Sequence, residues 1–126
     1  MELEERSLNR YMIHTGYTYP DGDELHILLE KQDDAWCFTD DGHTMMWLSY
    51  SDFELTDTRR SLLEKTLRSN NVRIDDGVLY VSCSNRDYDR LGACLRSMIQ
   101  TEIQLTDLQY LEKDVVRDTF NEDLRQ

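Results

Sequence analysis

The stretch Trp36-Cys37-Phe38-Thr39-Asp40-Asp41-Gly42-His43-Thr44, continued by Met45-Met46-Trp47-Leu48, constrains the fold more than any other part of the chain. Trp36, Phe38 and Thr39 are the aromatic and β-branched types that suit a pleated surface, so the stretch begins as a buried strand. Asp40-Asp41-Gly42 then turns the chain sharply. Aspartate side chains bond nearby backbone amides, and glycine takes a positive φ at no steric cost. Thr44, or Asp41 before it, is placed to cap the helix that Met45-Met46-Trp47-Leu48 opens. A sheet must therefore end, and helices begin, at residues 40–44. The stretch holds no complete catalytic set.

The rest of the chain falls into place around it. Residues 2 to 13, with Leu3, Leu8, Tyr11 and Met12 loosely in helical spacing, read as a short helix stopped by Gly16. Tyr17-Thr18-Tyr19 reads as a first strand, and Pro20-Asp21-Gly22-Asp23 as a turn in which proline presets φ. Glu24 to Lys31 follows as a strand with Leu25, Ile27 and Leu29 on one side and Glu24, His26, Leu28 and Glu30 on the other. Gln32-Asp33-Asp34 reverses the chain into the Trp36 strand, completing a three-strand antiparallel meander. After a linker from Ser49 to Leu55, Thr56-Asp57 caps a helix over Thr58 to Ser69 whose inner stripe is Leu62, Leu63, Thr66 and Leu67. Asn70-Asn71 ends it. Val72 to Ile74 and Val78 to Cys83 flank Asp75-Asp76-Gly77, a hairpin signal.

From Tyr88 the pattern turns helical. Leu91, Cys94, Leu95, Met98, Ile99, Glu102, Ile103, Leu108 and Leu111 lie mostly three or four apart, with a possible kink site at Thr106-Asp107 and a last amphipathic piece from Val115 to Leu124. The expected architecture is α+β: an antiparallel sheet of about five strands, a meander plus a hairpin, with helices packed on one face. A chain of 126 residues suits one domain spanning residues 1–126, with residues 112–126 a C-terminal helical extension.

Four motifs occur in an order that resembles one family: Thr18-x-Pro20-x-Gly22-Asp23, Phe38-Thr39-Asp40-Asp41-Gly42-x-Thr44, Arg59-Arg60-x-Leu62-Leu63 and Asp76-Gly77-x-Leu79. The family is a domain of unknown function found in bacteria and their phages, family eighteen twenty-eight, and the likeness runs from about residue 17 to 111. The family's longer segment after the proline, which carries Arg and His, is shortened here to Pro20-Asp21-Gly22-Asp23. Asp118-Thr119-Phe120-Asn121-Glu122-Asp123 resembles the junction to a second domain that often follows. The resemblance brings no activity with it; its phage setting implies a role in phage–host conflict.

The charge balance bears on partners. With 26 acidic against 14 basic residues the formal net charge is −12. Such a surface repels nucleic-acid phosphate and favours basic protein surfaces, including grooves that normally hold nucleic acid; plain solubility explains the excess equally well. Cys37, Cys83 and Cys94 are widely spaced with no C-x-x-C, which points to buried reduced thiols rather than a zinc site. No apolar run approaches the roughly 20 residues that span a bilayer, and Met1-Glu2-Leu3-Glu4-Glu5 is no signal peptide.

Several constellations compete with structural explanations. Asp21, Asp23, Asp33, Asp34, Asp40 and Asp41 all fall in turns at strand ends. Turns alternate between the ends of a meander, so Asp21/Asp23 and Asp40/Asp41 share one end and Asp33/Asp34 lie at the other. Four carboxylates at one end offer hard oxygen ligands to Mg²⁺ or Ca²⁺. A metal-dependent enzyme or regulatory subunit using Asp40, Asp41 and Asp21 is accordingly the alternative function. Turn formation explains the same residues, and no loop has the ligand spacing of a calcium hand. Pro20-Asp21 with Glu30-Lys31 shares residue types with a metal-dependent nuclease pattern, but the position two before Lys31 is Leu29. His43 beside Asp41 has the composition of a general base with its orienting carboxylate, and equally of a polar helix start. Cys37, between Trp36 and Phe38, suits a buried and inert thiol.

The expectation is thus a non-enzymatic, acidic phage or mobile-element protein without metal or cofactor. It would bind and inhibit a host defence complex, such as a CRISPR effector, by occupying a nucleic-acid groove as a mimic. Asp21, Asp23, Asp40, Asp41, Asp52, Glu54, Asp75 and Asp76 supply the charge, and Tyr50 and Phe53 the aromatic anchors. The expected partner is a protein with a basic surface, met in the bacterial cytoplasm with no direct nucleic-acid or membrane contact. The chain itself is expected to be a monomer or homodimer, and a structural dimer with a merely solubilising acidic face is the remaining reading.

Overall fold

The computed structural model describes residues 2–49, 56–84 and 87–125, with side chains as far as Leu108. The elements run β1 (Glu2–Ser7), β2 (Arg10–His14), β3 (Leu28–Gln32), β4 (Ala35–Thr39), α1 (His43–Ser49), α2 (Asp57–Asn70), β5 (Arg73–Asp75), β6 (Val78–Ser84) and α3 (Tyr88–Arg125). The strands form one antiparallel sheet in the spatial order β1-β2-β3-β4-β6-β5. The α+β architecture is as the sequence implies, with six strands rather than about five: β1 and β2 are added and the expected strand at residues 17–19 is absent.

Alternation along the strands makes the core. Ile13, Leu29, Phe38, Leu79 and Cys83 are buried together against Leu63 and Leu67 of α2 and Cys94, Met98 and Leu105 of α3. The opposite parity is also buried in one row, where Met12 faces Leu28 and Leu28 faces Thr39. Among the described residues no helix is long and apolar enough to cross a membrane.

Local chemistry fixes the boundaries of α2 and of the β5–β6 hairpin. Thr56 Oγ1 accepts from the Arg59 amide at 3.2 Å, an N-cap. Asn71 takes the left-handed conformation at the other end, with its amide on the Arg68 carbonyl and that of Val72 on the Leu67 carbonyl. Asp76 (φ 50°) and Gly77 (φ 78°) both adopt positive φ, which a tight hairpin turn between twisted strands requires.

The N-terminal expectation needs correction. Residues 2 to 13 are not a helix but the β1–β2 hairpin, closed at Asn9 (φ 61°) with Glu2 opposite His14. Every residue of β1 is exposed, so backbone pairing rather than an apolar stripe holds it, and the loose helical spacing of Leu3 and Leu8 carries no packing. Tyr17-Thr18-Tyr19 is likewise not a strand. It makes one bridge, Thr18 to Glu24, before regular pairing begins at Leu28. From Tyr88 the backbone is one helix through Thr106-Asp107 to Arg125.

Candidate functional site

The β4–α1 turn is built on Asp40, which is fully buried. Its Oδ1 accepts from the amides of Gly42 (2.8 Å) and Leu79 (2.9 Å), and its Oδ2 from the amide of Thr44 (3.0 Å). Asp40, not Thr44 or Asp41, therefore caps α1, and it ties the turn to β6. Asp41 (φ 55°) and Gly42 (φ 80°) complete the reversal in left-handed conformations.

Thr44 links Asp40 to a second buried acid. The Thr44 hydroxyl donates to Glu102 Oε1 at 3.0 Å, and the Tyr19 hydroxyl donates to the same oxygen at 3.0 Å. Tyr19 and Thr44 lie 3.1 Å apart, oxygen to oxygen. Glu102 Oε2 has no hydrogen-bond partner among the described residues. Burial pushes the Glu102 carboxyl up to about 8; the Asp40 charge adds to the rise, and the bonds from Tyr19 and Thr44 oppose it only in part. Burial, then the charge of Glu102, raises the Tyr19 phenol, which stays a donor.

Aromatic rings carry this network to the surface. Tyr19 stacks on Trp47, with centroids 5.6 Å apart, and on His43 at 6.1 Å, while His43 stacks on His26 at 4.5 Å. Trp47 Nε1 donates to Asp21 Oδ2 at 2.9 Å, fastening the 20–23 turn to α1. The Asp23 amide, then Trp47, holds the Asp21 carboxyl below its ordinary value. Burial, reinforced by His43, lowers His26. His14 bridges Glu24 (2.6 Å) and Glu4 (2.8 Å), and the bond to Glu24, followed by that to Glu4, raises it.

The strand register sets where the acidic turns lie. Asp33-Asp34 closes the end where Gln32 faces Ala35, whereas Thr39, Val78 and His14 mark the opposite end. That second end gathers Asp21 and Asp23, Asp40 and Asp41, and Asp75 and Asp76. The Asp40–Gly42 and Asp76–Gly77 turns touch: a methyl placed on Gly42 would sit 3.7 Å from Val78 Cγ2 and 3.9 Å from the Gly77 carbonyl. Asp21, Asp23, Asp41, Asp75 and Asp76 are exposed. Residues 11–30, 32–58 and 74–85, which supply these turns, contain no Lys or Arg.

A family comparison covers this whole arrangement. The family model described as Domain of unknown function DUF1828 matches residues 15–105. The chain belongs to the DUF1828 family. The matched DUF1828 segment contains Tyr19, Asp40, Thr44 and Glu102 as well as the three acidic turns, and begins just after β2. No curated protein and no solved structure matches the chain.

Set against this DUF1828 geometry, the sequence-derived site divides. Asp21, Asp23, Asp41, Asp75 and Asp76 come together at one end of the sheet. Asp40 does not belong among partner-contacting residues, because its carboxylate is buried and occupied by three amides. Its inward turn also removes it from a carboxylate metal cluster with Asp21 and Asp41, and among the described residues no three His, Cys, Asp or Glu are grouped to hold a metal ion. Tyr50, Asp52, Phe53 and Glu54 lie outside the described residues. Trp47 is half-buried, stacked on Tyr19. Cys37 is half-buried with its thiol raised by burial, and Cys83 is pushed up to about 11 by burial and by Cys94, so neither is an activated nucleophile.

Sequence reasoning did not assign Glu102, Tyr19 or His14 to the site. The signal for Glu102 was a carboxylate inside the apolar stripe of α3. Nothing local marked Tyr19, whose partner lies 83 positions away.

Proposed function

We propose that this DUF1828 protein is a non-enzymatic acidic binding protein that docks the Asp21–Asp41–Asp76 end of its sheet on a basic protein surface. The observation that carries the reading is the convergence of three turns from Lys- and Arg-free stretches beside α1. Charge concentrated in this way attracts a basic groove over several ångströms and raises its association rate. Asp40, Thr44, Tyr19 and Glu102, the groups with acid–base chemistry, are spent inside the protein, with at most 1% exposure. They support the surface rather than meeting a substrate.

The resemblance to a family of bacteria and their phages directs the choice of partner. In that setting the protein acts in the cytoplasm as an inhibitor of a host defence complex, such as a CRISPR effector, occupying the groove that its nucleic acid would take. The experiment is to add purified protein to CRISPR effector ribonucleoproteins and follow target-DNA binding at low and high salt. Loss of target binding is expected, weakened by salt and abolished by Asp41→Lys with Asp75→Lys and Asp76→Lys. Full inhibition by that triple variant, or no effect on any basic groove tested, refutes the reading.

A further inference from the structure

Beyond the acidic end, the fold carries a concave surface of the opposite charge. The register is again responsible. Arg73, the first residue of β5, faces Tyr80, so β6 runs on through Val81–Ser84 with no strand on that side among the described residues. The chain instead departs through Val72 into the C-terminal end of α2, and the first turns of α3 pass alongside. The three elements enclose a groove of about 870 Å³, within the usual size range of small-molecule sites.

Arg68 from the last turn of α2, Arg73 from β5 and Arg90 from the first turn of α3 line this groove. In a chain with twelve more acidic than basic residues, none of these three makes an ion pair among the described residues. Asp87, just before α3, uses its Oδ1 to accept the Arg90 amide at 3.0 Å, as a helix cap. The lining carries these three arginines and no Asp or Glu, so an anion is the complementary occupant. Each guanidinium presents a planar fork of donors matched to phosphate oxygens. Ser82 and Ser97 add hydroxyls to the lining, and Tyr80 with Val72 adds surface for a flat or apolar moiety.

We propose that this groove binds a small phosphorylated metabolite of nucleotide size, its phosphates held by Arg68, Arg73 and Arg90 and its remainder lying toward Tyr80. The site is separate from the acidic docking end, so either proposal can fail while the other stands. The wider negative surface makes it selective: a long polyanion is repelled by the rest of the molecule, whereas a compact one fits within the positive groove.

The test is calorimetric titration of the full chain with ATP, with pyrophosphate and with adenosine, in EDTA and low salt. Saturable one-to-one binding is expected for ATP and pyrophosphate and none for adenosine. Arg68→Gln and Arg90→Gln should each weaken ATP binding about tenfold or more, the scale of one charge-assisted contact. Arg6→Gln, on β1 and away from the groove, should leave it unchanged. Where a Gln variant unfolds, Arg→Lys at the same position keeps the charge and should bind ATP with intermediate affinity. Absence of saturable binding, equal loss in Arg6→Gln, or a short single-stranded oligonucleotide that displaces ATP and binds more tightly would each overturn the proposal.

Discussion

Replacing Glu102 with Gln changes one proton site inside the buried network and keeps its shape, so it isolates the cost of ionising that site. The folded carboxyl ionises near 8 and the unfolded one near 4.5. Below 4.5 both states are protonated and the group makes no difference. Between 4.5 and 8 the unfolded chain releases the proton and the folded one retains it, so stability falls as pH rises. Above 8 both are ionised and the loss is complete. At about 1.4 kcal/mol per pH unit, that gap amounts to about 5 kcal/mol, of which about 4 falls between pH 5 and 9.

Gln retains an oxygen for Tyr19 and Thr44 but places an amide where Oε2 has no partner, a pH-independent cost of about 1–3 kcal/mol. The stability curves of the two proteins should therefore cross, with wild type favoured at pH 5 and Glu102→Gln at pH 9. Urea unfolding followed by Trp36 and Trp47 fluorescence measures the difference at each pH. Contributions of His14 and His26 are common to both proteins and cancel. A difference that stays constant across this range would refute the argument that Glu102 is held protonated by burial.

Asp40→Ala leaves the amides of Gly42, Thr44 and Leu79 without their acceptor and should cost about 3 kcal/mol or more in the same assay; a loss under 1 kcal/mol would show that the turn does not depend on it. Gly77→Ala forces a side chain into φ +78° and should destabilise by about 1–2 kcal/mol, seen as a lower thermal midpoint. Proton titration of the histidine rings by magnetic resonance should place His14 above and His26 below the ordinary value of 6.5. In stability, the His14 contribution is full below 6.5 and is lost as pH rises through its folded value. His26, neutral by burial, contributes the opposite slope below 6.5. The reverse order of the two titrations would contradict the Glu24–His14–Glu4 bridge.

Elements fixed by neighbours in sequence were legible from sequence. Thr56, Asn71 and Asp76-Gly77 determine their cap and turns within a few residues, so α2 and the β5–β6 hairpin stand where their chemistry put them. Alternation also placed Leu25, Ile27 and Leu29 in the interior. The β1–β2 hairpin was not legible, because β1 buries no side chain and the pairing of Glu2 with His14 leaves no mark in local composition. In the site, the acidic turns share an end as the parity of a meander implies, but the strand that precedes the 20–23 turn is β2 and not Tyr17-Thr18-Tyr19. The inward rotation of Asp40 depended on a β6 amide 39 positions away, which no local pattern announces. Glu102 stood in a recognised stripe, but its role required knowing that Tyr19 and Thr44 would meet it there.

The bonds from Asp40 to three backbone amides also bear on how the exposed turns behave before any encounter. One buried carboxylate sets the position of the α1 start, the Asp41 reversal and the first residues of β6 at once. Trp47 in turn holds Asp21 in register with them. The surface charges that ride on these anchors are preorganised: their spacing is determined during folding, which under the proposed docking would spare the ordering entropy on contact.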